Sequence, residues 1–124
     1  MTIAFWCIFI AALLPYLSAL VAKAGAPGFD NNEPRAWLAR QEGFRARANA
    51  AQQNAFEALP FFAAAVLVAH LVHGPQARVD QLAMVFIGAR VLYLSTYVAG
   101  WSTVRSLVWA VGWGATVWIF LTAA

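Results

Sequence analysis

Charge is what this chain has least of. Asp, Glu, Lys and Arg together make up 10% of its 124 residues, against about 25% in a soluble domain. That leaves too little polar surface to cover a water-soluble globule. There is one cysteine, Cys7, set in an apolar run, so no intrachain disulfide can form. Disorder and collagen are excluded by a hydrophobic content of 63% and by the lack of a Gly-x-y period. No internal repeat or low-complexity tract occurs. The apolar runs do not alternate with period two, which argues against a membrane barrel. The length suggests one domain.

What the chain does have is four long apolar segments, and a membrane helix needs about 20 such residues. They cover approximately residues 3–22, 43–73, 78–99 and 103–124. Backbone polar groups in lipid must be satisfied within the segment, as helices do. The reading is all-α, a single four-transmembrane-helix domain. The first segment has no basic residue before it, and Lys23 follows it. A signal peptide has the reverse order, so this reads as a retained helix, with Pro15 as a point where it can bend. Gly25, Pro27, Gly28, Asp30 and Pro34 mark the connection to the second helix as a loop; His73-Gly74-Pro75 and Gly100-Trp101-Ser102 are tight turns.

The cations fall on one side of this topology. Lys23, Arg35, Arg40, Arg45, Arg47 and Arg105 share it, and Arg78 stands alone on the other. The positive-inside rule then puts the long loop in the cytoplasm and both termini outside it. Trp6, Trp101 and Trp118 lie near span ends, as interfacial residues do. Asp30, Glu33 and Glu42 interrupt the basic loop, so it is not a nucleic-acid surface.

Polar groups inside spans cost a few kcal/mol on insertion scales, so they pair, face the bundle interior or serve a site. Arg47, Asn54 and Glu57 fall within roughly 80° of one another on the second helix. They form a stripe descending into the membrane, read either as a packing network or as a polar ligand site. Arg90, Tyr93 and Tyr97 share one face of the third helix. Glu57 is the one acidic residue well inside a span, so a charge pair with Arg90 is the economical expectation. Arg105 opens the fourth helix as an interfacial anchor or an inward-facing anion stabiliser. His70 and His73 have a spacing that could hold a metal, but no third ligand is apparent and no metal site is expected. Gly88, Gly112 and Gly114 are expected to permit close helix contact.

The order Arg47…Asn54-x-x-Glu57-x-x-Pro60, then Arg90-x-x-Tyr93-x-x-x-Tyr97, then Arg105-Ser106 resembles the MAPEG family, membrane-associated proteins in eicosanoid and glutathione metabolism. The likeness covers nearly the whole chain and points to a bacterial-type member in the inner membrane. It implies a homotrimer of four-helix subunits, with glutathione as co-substrate between neighbours near the cytoplasmic face. By position it gives Arg47, Asn54, Glu57, Arg90, Tyr93 and Tyr97 to glutathione binding and Arg105 to the thiol, as the catalytic residue. The implied activity is that of a glutathione-dependent transferase or peroxidase, acting on small lipophilic electrophiles that arrive from the surrounding lipids.

The pattern also departs from the family. Leukotriene-forming members carry arginine seven residues before the helix-two Glu, where this chain has Ala50. The residue after that Glu is often tyrosine and here is Ala58, and Trp109 stands where the prostaglandin E synthase has tyrosine. The alternative is therefore a non-catalytic member that binds lipid or serves as a partner subunit. A small transporter is disfavoured by the lack of an inverted repeat.

Overall fold

The computed structural model describes residues 1–124 and contains five helices. They are α1 (Ile3–Lys23), α2 (Pro34–Ala39), α3 (Gly43–His73), α4 (Ala77–Ala99) and α5 (Ser102–Leu121). The four long helices are each apolar enough to cross a membrane. At a rise of about 1.5 Å per residue, α3 is roughly 46 Å long, so its polar foot extends beyond a hydrocarbon core of about 30 Å.

Local chemistry sets the helix ends. Thr2 Oγ1 accepts from the Phe5 amide at 3.2 Å and caps α1. Gly100 ends α4 at φ 80°, a left-handed conformation that costs glycine nothing. The loop expected between the first two spans contains α2. Pro34 at its first turn has the fixed φ that helix entry needs. Trp37 and Leu38 bury against Ala22 and Ala48, closing the loop over the ends of α1 and α3.

The main core is built from alanines and a few large side chains. Ala4, Ala11, Ala65, Ala69 and Ala83 let the backbones approach, and Phe62, Val66, Phe86 and Ile119 fill the gaps. Phe62 and Phe86 stack across α3 and α4, with ring centroids 3.9 Å apart and planes at 6°. Large apolar side chains also point outward, among them Phe9, Leu17, Leu71, Leu107 and Trp118. A soluble fold of this size would bury most of these; lipid is the solvent that accepts them. Gly112 is buried, and a Cβ on it would lie 3.4 Å from that of Ala89, so α4 and α5 do meet closely there. Gly88 and Gly114 differ from expectation. Both are exposed and face open space, so within one protomer they make no such contact.

The two ends of the bundle have different chemistry. At one, Arg45 donates from an Nη to Ala22 O at 3.0 Å, and Arg47 donates from Nε to Val98 O at 3.0 Å. The foot of α3 thus places cations on the carbonyl ends of α1 and α4, where the helix dipole favours them. At the other end Asp80 Oδ1 accepts from the Ala4 amide at 2.9 Å, a carboxylate at the positive end of α1. His70 lies beside it, with Nδ1 2.8 Å from Val66 O, Nε2 3.0 Å from Thr2 Oγ1 and its ring stacked on Phe5 at 4.1 Å. Both ring nitrogens of His70 are therefore engaged within the fold, while His73 is exposed.

Candidate functional site

The site lies where α3, α4 and α5 meet, toward the basic end. Helical spacing brings its parts together. On α4, Arg90, Tyr93 and Tyr97 rise along one face, and on α5 Arg105, Trp109, Gly112, Trp113 and Thr116 do the same. Asn54 and Glu57 come from α3, about one turn apart.

Arg90 is buried, at 6% exposure, and its Nη donates to Asn54 Oδ1 at 2.8 Å. Its guanidinium also lies over the Tyr93 ring, 4.4 Å from the centroid. The expected pair between Arg90 and Glu57 is not formed. Asn54, three residues before Glu57, takes the inward position, and Glu57 is rotated to an exposed position on the rim of the cavity that Arg90 also lines. A neutral amide therefore satisfies the buried cation, and the carboxylate is left free.

A second cation sits nearer the basic end. Arg105 is half-buried and lies over the Tyr97 ring at 4.4 Å. Tyr93 and Tyr97 meet edge to face, with centroids 5.5 Å apart at 81°. Asn54, Arg90, Tyr93, Tyr97 and Arg105 thus form one continuous chain of polar and cation–π contacts. A cation over an aromatic face is worth about 0.5–1 kcal/mol when exposed and about 2 when desolvated. That fixes both guanidinium groups in place without a carboxylate neutralising either.

Two adjoining cavities open on this chain. The polar one, of ≈ 270 Å³, is lined by Asn54, Tyr93, Tyr97, Arg105, Ser106 and Trp109. The other, of ≈ 260 Å³, shares Asn54 and Trp109 and continues between Phe61, Phe86 and Trp113, with Glu57 and Arg90 at its polar side. Of the residues singled out in the sequence, Asn54, Glu57, Arg90, Tyr93, Tyr97 and Arg105 line one cavity or the other. Arg47 does not; it is held at the end of α4 by its bond to Val98. The sequence reading did not pick out Phe61, Phe86 and Trp113. The signal for Trp113 was its position four residues after Trp109 and eight after Arg105, which is the same helical face.

The site offers two fixed cations, one free carboxylate at the rim, an amide and two phenols. The model of the MAPEG family matches residues 3–124, essentially the whole chain. No curated protein and no solved structure matches it.

Proposed function

We propose, from the premise that this chain belongs to the MAPEG family, that it is a glutathione-dependent transferase or peroxidase for small lipophilic electrophiles. Its four apolar helices and its family make it an integral membrane protein of the glutathione and eicosanoid group. The observation that carries the finer reading is Arg105. It is a guanidinium held over Tyr97 at 4.4 Å in an open polar cavity, with no carboxylate to neutralise it.

Glutathione, when bound, supplies the thiol that becomes the nucleophile. A thiol of pKa about 8.5 is mostly protonated at neutral pH, and an adjacent cation lowers that value. Arg105 is the cation placed to hold the negative sulfur, with the Tyr97 ring fixing its orientation. Arg90 and the Asn54 amide give the peptide a second cationic and polar contact, and the free carboxylate of Glu57 suits its ammonium. Family membership further supports a homotrimer with the site completed by a neighbouring subunit. The charge asymmetry supports a bacterial inner-membrane orientation with both termini outside the cytoplasm.

One observation favours the non-catalytic reading, a lipid-binding protein or partner subunit. The position seven residues before Glu57 is Ala50, and the nearby Arg47 is tied to a backbone carbonyl. Neither arginine of α3, Arg45 or Arg47, lines the two cavities, and each donates to a backbone carbonyl at a helix end. The test is ultraviolet absorbance of the thiolate in detergent-purified protein. Wild type should form thiolate on adding glutathione, and Arg105→Lys should form less at equal trimer yield, because an ammonium does not reproduce a guanidinium stacked on a ring. No thiolate in wild type, with a lipid or a second protein copurifying, would favour the non-catalytic reading.

A further inference from the structure

At the basic end, away from the cavities, the fold brings a second pair of cations to one place. Arg45 reaches from the foot of α3 to the end of α1, where its Nη donates to Ala22 O at 3.0 Å. Lys23 is the next residue and the last of α1. Both side chains are half-buried. Lys23 Nζ lies 5.0 Å from the centroid of the Phe29 ring, and the Arg45 guanidinium lies 4.8 Å from that of Phe44. Phe29 is itself held edge to face against the buried Trp37, with centroids 5.0 Å apart. The groups that hold the two cations are thus a carbonyl and two rings, and none of them carries a charge. Of the loop's carboxylates, Asp30 accepts from the Asn32 amide at 2.9 Å, and Glu33 and Glu42 are exposed. We propose that Lys23 and Arg45 form a headgroup site for an anionic phospholipid of the adjoining leaflet, with the lipid phosphate between the two cations.

The place suits a lipid. An apolar run that begins at Ile3 ends at Lys23, so the pair sits where the hydrocarbon core gives way to headgroups. Leu20, one turn before Lys23 and on the same face of α1, points outward, so a chain descending from the headgroup meets an apolar side chain. The charge suits an anion. The six cations of this end outnumber its three carboxylates, whereas Arg78 and Asp80 balance at the other end. Basic pockets between helix ends recognise lipid headgroups in this way, and each Lys or Arg near the surface is worth about fivefold in binding.

Orientation in the membrane requires only that the cations stay on one side. It does not require two of them to be fixed on rings at a single helix end. Arg35 and Arg40, by contrast, stand exposed on α2. The chemistry of the pair is also complementary. Ala22 O occupies one N–H donor of Arg45, the rest of the planar fork matches phosphate oxygens, and Lys23 adds a compact point charge. The inference does not depend on the glutathione reading.

The test is native mass spectrometry of the detergent-purified protein, titrated with phosphatidylglycerol and with phosphatidylcholine of the same acyl chains. Wild type should hold phosphatidylglycerol at least about tenfold more tightly, and the preference should shrink as salt is raised. Lys23→Gln and Arg45→Gln should each weaken phosphatidylglycerol about fivefold and leave phosphatidylcholine unchanged. Arg40→Gln should change neither lipid by more than about twofold. Lys23→Gln breaks no helix-end hydrogen bond, so it carries the test if Arg45→Gln does not fold. Inorganic phosphate at the same concentration as the lipid should not displace it. Equal binding of the two lipids in wild type would overturn the proposal. So would equal losses in Lys23→Gln and Arg40→Gln, which would mean diffuse attraction with no site. Displacement by inorganic phosphate would make the pair a site for free anions, and the lipid assignment would be wrong.

Discussion

A guanidinium among apolar helices has to be hydrogen-bonded or neutralised, because an unmet buried charge costs several kcal/mol. Arg90 is met by the amide of Asn54 and the face of Tyr93. Asn54→Ala removes the acceptor and leaves the guanidinium short of one charged hydrogen bond, a loss of about 1.5–3 kcal/mol. Glu57→Ala removes an exposed carboxylate that Arg90 does not use. Melting in detergent should therefore rank Asn54→Ala well below Glu57→Ala. The reverse ranking would mean that Glu57 neutralises Arg90 after all. The sequence made both polar residues visible, since each is anomalous in an apolar helix. It did not show which of two residues three apart faces inward, because that depends on how α3 is rotated against α4, and no local pattern encodes the rotation.

Among the helices, the contact of α4 with α5 turns on Gly112. A Cβ there lies 3.4 Å from that of Ala89, at the edge of ordinary contact. Gly112→Ala removes a helix-interior glycine, a change worth up to about 1 kcal/mol, and should be neutral or mildly stabilising. Gly112→Leu overfills the contact and should cost about 1–3 kcal/mol. Thermal denaturation of the two variants checks both signs. At the far end, Asp80 holds the first turn of α1. Asp80→Ala should lower stability by about 1 kcal/mol, as loss of a helix N-terminal partner does; equal melting temperatures would mean that water serves that amide as well. The long helices could be read from apolar run length, since lipid leaves the backbone few choices. Helix α2 could not, because Gly25, Pro27, Asp30 and Pro34 all signal a turn and a short helix is stabilised by tertiary burial of Trp37 and Leu38. The glycines show the same limit. Gly88, Gly112 and Gly114 look alike in the sequence, and only Gly112 faces a neighbouring helix of its own chain.

For the whole molecule, polarity divides along the membrane normal and again along the site. The foot of α3 and the start of α5 carry cations, the polar chain runs from Arg105 inward to Asn54 and Arg90, and the cavity between Phe61, Phe86 and Trp113 lies deeper. A reporter that is active only outside the cytoplasm should give signal when fused to Ala124, and one active only inside should not; the opposite pattern would invert the orientation. Native mass spectrometry in mild detergent should show a trimer, and monomer alone would remove a site shared between subunits. The proposed activity requires the polar cavity to be a glutathione site, and isothermal titration of the detergent-purified protein with glutathione tests that most directly. Saturable heat in wild type, with Kd weakened at least about tenfold by Arg105→Ala for loss of a charge-assisted contact, is the predicted result. No saturable heat in wild type, or the same Kd in Arg105→Ala, would contradict it.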